Sequence, residues 1–198
     1  MTDSANHAGS DDSEDDFDAE EWRDQLEAHR EEKDDFFADH PQSPIPPEER
    51  DDFEGLDYFD PDPDYRVTAS VEYHDQPEPV EMEVSAGRPQ RYLRVATLHF
   101  DLGEGDDTDS HELAGYRQQA DDDGLFVPFR DKTTGQQTYK DGRYMEFEAE
   151  GDLADTDEMV LDFNLAYSPF CAYSETFACP LPPEENWLEV EIRAGEKA

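Results

Sequence analysis

From Tyr65 onward the apolar residues of this chain recur at every second position, a period that excludes a helical body for the larger part of the sequence. Val67, Ala69, Val71 and Tyr73 alternate with Arg66, Thr68, Ser70 and Glu72, and Val80, Met82 and Val84 alternate with Glu81 and Glu83. Both runs read as half-buried strands, because successive side chains of a strand point to opposite faces. Residues 91–100 continue as a longer strand with apolar residues on both sides, and residues 103–110 form an acidic turn. Residues 111–118 fit a strand or a helix, and their neighbours favour the strand. Further strands are expected at 125–129, at 138–139 and at 143–149, the last two flanking Lys140-Asp-Gly142, a strong hairpin signal. Residues 159–167 follow, and then 187–193, where Leu188, Val190 and Ile192 share one face and Glu189 and Glu191 the other. About eight strands joined by short turns predict a mainly β fold, an antiparallel meander closed as a barrel or folded as a sandwich.

The period is different upstream. Within residues 17–40, Trp22, Leu26, His29, Lys33, Phe36, Phe37 and His40 fall on one narrow stripe at 100° per residue, which predicts an amphipathic helix ended by Pro41. Asp16 or Asp18 suits its N-cap, and Glu20 and Glu21 suit the positive end of its dipole. Residues 41–47 form a proline-rich extended connector. Phe53, Leu56 and Phe59 are then spaced as pegs that dock an arm on the body, the other reading being a partner-binding motif. Residues 1–16 have little to bury and read as a disordered leader. The expected division is a leader at 1–16, a helix and arm at 17–63, and a β domain at 64–198.

Charge narrows the setting. The chain has 55 acidic and 15 basic residues, a net charge of -40, with only four lysines beside 11 arginines. Residues 1–62 hold 24 acidic and 4 basic side chains and residues 63–198 hold 31 and 11, so each part carries half of the excess and a tail is not its cause. Such a chain repels itself in dilute buffer and is screened in molar salt, which points to a halophilic protein. Nucleic acid is excluded as a partner class, because phosphate binding rests on Lys and Arg clusters. No stretch approaches a membrane span, and the start Met1-Thr-Asp-Ser lacks the basic and apolar regions of a signal peptide, so a soluble cytoplasmic protein with reduced cysteines is expected.

The densest chemistry lies in residues 160–183, which hold both cysteines and place Asp162 and Asn164 inside an apolar run. The motifs Leu125-Phe-Val-Pro-Phe-Arg-Asp131, Thr133-Thr-Gly135, Gly142-Arg-Tyr144, Asp162-Phe-Asn164, Ala166-Tyr167, Cys179-Pro-Leu-Pro-Pro183, Asn186 and Ala194-Gly-Glu-Lys197 together resemble the domain-of-unknown-function family 1684. Trp22-Arg23, Phe53-Glu-Gly-Leu56 and Asp62-Pro-Asp-Tyr-Arg66 resemble its N-terminal part. The chain departs from the pattern at Ser168-Pro-Phe-Cys171, where the family suggests Asn-Pro-Pro-Cys. The resemblance implies one fold unit over most of the chain and no known activity.

As candidate ligand-binding residues the sequence offers Asp131, Arg143, Asp162, Asn164 and Tyr167. On a continuous strand Asp162 and Asn164 would share one face, and an inward Asp162 would need a cation, for which Arg143 is the candidate. The set could be a buried structural network, or it could line a pocket for a small molecule. Cys171 is the one weak catalytic candidate. A nucleophilic thiol needs a nearby cation, helix N-terminus or histidine, and no Lys, Arg or His lies between Arg143 and Arg193. Two cysteines eight positions apart without a local histidine give no metal site, and no motif names a cofactor or an oligomeric state. The leading expectation is therefore a non-catalytic binding or structural β domain centred near Asp162. The alternative is a hydrolase-type enzyme using Cys171 with a histidine from elsewhere in the fold.

Overall fold

The computed structural model describes residues 17–103, 108–119, 122, 124–147 and 157–198, so the leader expected at 1–16 and most of the acidic turn after Gly103 lie outside the described residues. Helix α1 (Ala19–Asp39) begins where Asp18 accepts hydrogen bonds from the backbone N–H groups of Glu20 and Glu21, the N-cap anticipated from the sequence. It buries Leu26 and Phe37 and ends at His40, before Pro41. No helix among the described residues is long and apolar enough to cross a membrane.

Among the described residues six antiparallel strands follow as one curled sheet: β1 (Arg66–Met82), β2 (Gln90–Leu102), β3 (Asp109–Arg117), β4 (Leu125–Phe129), β5 (Arg143–Phe147) and β6 (Glu158–Asp162), in the order β5-β4-β3-β2-β1-β6. The ambiguous segment at 111–118 is thus a strand. Six strands replace the expected eight for local reasons. The run at 67–73 and the first part of the run at 80–84 belong to one strand, β1, whose pairing with β2 shifts register between Tyr73 and Glu78, while Val84 bridges Pro180 instead. That irregularity brackets Pro77, which has no N–H for a ladder.

The strand expected at 138–139 is absent because residues 131–138 close on themselves. Asp131 accepts from the Thr133 N–H and hydroxyl at 3.1 and 2.7 Å, and the Thr133 and Thr138 hydroxyls pair at 3.0 Å. The hairpin therefore joins β4 to β5 through a compact loop, with Gly142 in the left-handed region at its end. The segment 187–193 keeps its expected alternation, Leu188 and Ile192 buried and Glu189 and Glu191 exposed, but it is no sheet strand. It runs beside residues 130–132, held by Leu188 N–H to the Arg130 carbonyl (2.7 Å) and Lys132 N–H to the Val190 carbonyl (2.9 Å).

The main core lies on one face of the sheet, where Leu98, Phe100, Leu113, Leu125, Val127, Phe129, Met145 and Leu161 meet Phe163, Leu188 and Ile192. A smaller cluster of Met82, Tyr92, Ala114 and Tyr116, with Phe126 against it, occupies the other. Continued from the Tyr116–Phe126 pair, the antiparallel register would set Pro128 against Ala114, but Pro128 has no N–H to donate. The wholly buried Asn186 supplies the missing group: its amide donates to the Ala114 and Pro128 carbonyls (2.9 and 2.7 Å), and its carbonyl accepts from the Ala114 N–H (2.7 Å).

Candidate functional site

The sequence-derived candidates separate into two buried networks and an open cleft. Arg143, at the start of β5, is 1% exposed and pairs with Asp131 at 3.4 Å, not with Asp162 as expected. Its guanidinium also donates to the carbonyls of Ile192 (2.8 Å), Glu196 (3.2 Å) and Ala194. Asp131 in turn accepts from the Ile192 N–H at 2.7 Å. Burial pulls the guanidinium pKa down and the Asp131 carboxylate opposes that shift. The pair staples the C-terminal segment to the β4–β5 loop.

Asp162 ends β6 and caps the short 3-10 turn Phe163–Leu165 through the Asn164 N–H (3.0 Å), so the two polar side chains do not share a strand face. Its cationic neighbour is Arg66, at 3.9 Å. Its other oxygen accepts from the Trp22 indole N–H at 2.7 Å, which ties α1 to the sheet. The Asn164 carboxamide completes the tie by bonding both backbone groups of Asp62, at 2.9 and 2.8 Å. Trp22→Phe keeps an aromatic side chain but deletes this donor with the pyrrole ring, and it is expected to cost at least about 1.5 to 3 kcal/mol, the worth of a hydrogen bond to a charged group. Denaturant unfolding at fixed salt measures it; an unchanged midpoint would show that the indole is not held.

Two residues that the sequence did not offer as site residues, Lys33 and Glu196, form a further buried pair. Glu196 is wholly buried and also accepts from the Ser168 N–H (2.7 Å) and the Tyr173 hydroxyl (2.9 Å). Gly195 makes this approach possible: it sits at φ +77° with the Ala166 carbonyl so close that a Cβ would lie 2.4 Å from its oxygen. Lys33 stands over the Tyr167 ring at 4.6 Å. Its place on the apolar stripe of α1 was the available signal for burial, whereas Glu196 was marked only by its place in the motif Ala194-Gly-Glu-Lys197.

The cleft lies on the face away from the main core and has a volume of about 730 Å³. Tyr92, Tyr116, Phe126 and Tyr144 contribute from successive strands, and Tyr167 joins them because its backbone pairs with Tyr144 (2.9 and 3.0 Å). Phe126 meets Tyr144 edge to face at 4.8 Å, and Tyr144 meets Tyr167 likewise at 5.8 Å. The opposite wall is Pro169, Phe170, Phe177, Cys179 and Pro180, and Arg117, Gln118 and Glu146 are among its polar lining. Burial holds the phenols of Tyr116, Tyr144 and Tyr167 neutral by raising their pKa values. Of the expected ligand-binding set only Tyr167 lines this cleft. The large even-numbered residues of β4 and β5, Phe126 and Tyr144, opposite the core-facing odd ones, were the sequence signal for it.

Both cysteines are free. Cys179 is buried in the cleft wall, and Cys171 is half-buried beside it with its N–H on the Cys179 sulfur at 3.3 Å. The Tyr139 hydroxyl donates to the Cys171 sulfur at 3.8 Å. Hydrogen bonds from Cys179, then Ser85 and Tyr139, outweigh burial and pull Cys171 down to about 6. Donating to Cys171, and burial after it, push Cys179 up.

Fold and cleft together define a small, mainly β protein strapped by an N-terminal helix and carrying an aromatic cleft on one sheet face. The chain belongs to the family described as Protein of unknown function (DUF1684), whose model matches residues 51–197. The match takes in Phe53-Glu-Gly-Leu56 and Asp62-Pro-Asp-Tyr-Arg66 but begins after Trp22-Arg23. The chain is similar to an uncharacterised protein of Haloarcula marismortui solved in solution by NMR, at 64% identity and a TM-score of 0.71, over 90% of this chain and 95% of that one. The likeness is consistent with a haloarchaeal-type member of the family. No curated protein matches the chain.

Proposed function

We propose that this protein is a non-catalytic β domain that binds a small molecule in the aromatic cleft. One observation carries the reading: the cleft's 730 Å³ lies within the roughly 300 to 1,000 Å³ typical of small-molecule sites, with eight aromatic side chains in its walls and four polar or charged ones. The lining suits a ligand with a flat apolar body and a polar end that reaches Arg117, Gln118 or Glu146. Tyr167 then contacts the ligand, while Asp131, Arg143, Asp162 and Asn164 hold the frame.

The hydrolase-type alternative gains no support from the surroundings of Cys171. Its partners are Cys179, Ser85 and Tyr139, while His74 bonds Thr97, His99 stands between Glu72 and Glu112, and His111 packs on Phe100. The Trp22 and Lys33 contacts support reading residues 17–63 as an arm docked on a β domain at 64–198. The single curled sheet favours a barrel-like over a sandwich-like closure. A salt-rich cytoplasm fits the chain-wide acidic excess.

Native mass spectrometry of protein purified in high salt tests the binding reading. The wild type should retain a small molecule. Phe177→Ala, which removes part of the outer wall, should reduce its occupancy roughly 10- to 100-fold, the equivalent of one lost aromatic burial. A bare wild-type mass, with Phe177→Ala indistinguishable from it, would remove the support for a binding role.

A further inference from the structure

We infer that Cys171 and Cys179 form a dithiol site that reacts with low-molecular-weight disulfides and closes to an intramolecular disulfide, locking one wall of the cleft. Cys179 lines the cleft, but the inference needs no ligand there and rests on the geometry of the two cysteines. The Cys171 N–H donates to the Cys179 sulfur at 3.3 Å, which sets the two cysteines side by side. Side chains so placed can meet the short Cβ separation a disulfide needs without a large backbone movement. The two positions are also unlike in a useful way. Cys171 is half-buried, and its sulfur accepts from the Tyr139 hydroxyl at 3.8 Å, a donor that stabilises its thiolate. Cys179 is the buried member, and its sulfur is engaged by the Cys171 N–H. That asymmetry assigns attack to Cys171 and resolution to Cys179.

The exchange balances in two steps. The Cys171 thiolate attacks one sulfur of a disulfide RS–SR, forming a Cys171–SR mixed disulfide and expelling RS⁻, which takes a proton from water. Cys179 then loses its proton to solvent and attacks the Cys171 sulfur, expelling the second RS⁻. Two protein thiols are oxidised to one disulfide, and one small disulfide is reduced to two small thiols. The bond closes the loop between residues 171 and 179. Phe177 lies within that loop and Phe170 next to it, and they face each other at 5.3 Å in the cleft wall. Oxidation therefore fixes the wall that the reduced protein holds only by packing and hydrogen bonds.

The test treats the full chain in several molar KCl with cystamine, quenches with iodoacetamide and reads intact and peptide masses. Wild type should lose two hydrogens, retain no cysteamine and resist alkylation until reduced with dithiothreitol. Cys179→Ser should stop at one cysteamine on Cys171, and Cys171→Ser should leave Cys179 unmodified. Near-ultraviolet circular dichroism establishes that each variant is folded before treatment. Two alkylatable thiols remaining in treated wild type would overturn the inference, as would stable cysteamine adducts on both cysteines or equal reactivity of Cys179 in the Cys171→Ser variant.

Discussion

Arg143→Met is expected to destabilise the protein by roughly 3 to 5 kcal/mol, the usual cost of leaving a buried charge without its partner. The loss has two sources, and a double-mutant cycle separates them. One is the Asp131 carboxylate, which keeps its bonds from Thr133 and the Ile192 N–H but loses the cation that balances it. The other is the set of carbonyls at Ile192, Ala194 and Glu196, each of which loses a donor inside the fold. Adding Asp131→Asn removes the lone charge but not the unsatisfied carbonyls, so the double variant should recover only part of the loss. Cycles with Asp162→Asn should instead be additive within about 0.5 kcal/mol, because Asp162 shares no partner with Arg143 and is served by Trp22 and Arg66. Urea unfolding at fixed KCl measures all of these variants. An Arg143→Met variant within about 1 kcal/mol of wild type would show that the guanidinium does not staple the C-terminal segment.

Where backbone and side-chain periodicity agree, the sequence was legible. Strand β1 falls on alternating runs, and α1 begins at a residue whose carboxylate was chemically suited to cap it. Legibility ended where a side chain replaces a backbone partner. Asn186 fills a gap that Pro128 opens in the sheet, and Asp131 gathers a loop that would otherwise extend as a strand. Neither effect has a period. The same limit explains the misassigned partner of Arg143. Asp131 and Asp162 both stand beside strand-like apolar runs, and only the tertiary path of residues 190–196 decides which carboxylate meets the guanidinium. The cleft was partly visible, since Phe126 and Tyr144 put large rings on the face opposite the core, but Tyr167 and the wall at 169–180 reach it through irregular backbone.

The thermal midpoint is expected to climb by on the order of 20 °C between about 0.1 M and several molar KCl, with most of the rise below about 1 M. Net charge is the first reason: 55 acidic against 15 basic residues leave the folded state holding mutually repelling carboxylates close together. The structure supplies a second reason, because several of the few cations are spent internally. Lys33 and Arg143 are consumed by Glu196 and Asp131, and Arg30, Arg50 and Arg117 donate to the backbone carbonyls of Phe59, Ile45 and Gly124. The 15 cations are far outnumbered by the 55 carboxylates wherever they are placed, so screening must come from solution. The Debye length falls from about 10 Å at 0.1 M to about 3 Å at 1 M, and further salt has little repulsion left to remove. Recovering about 5 to 10 kcal/mol in this way is comparable to the whole stability of an ordinary domain and corresponds to a shift of that size. Tetramethylammonium chloride at equal ionic strength distinguishes screening from specific potassium binding: a matching rise supports screening, and a rise confined to KCl supports bound potassium. A midpoint that stays flat with either salt would show that the acidic surface does not limit the stability of this fold.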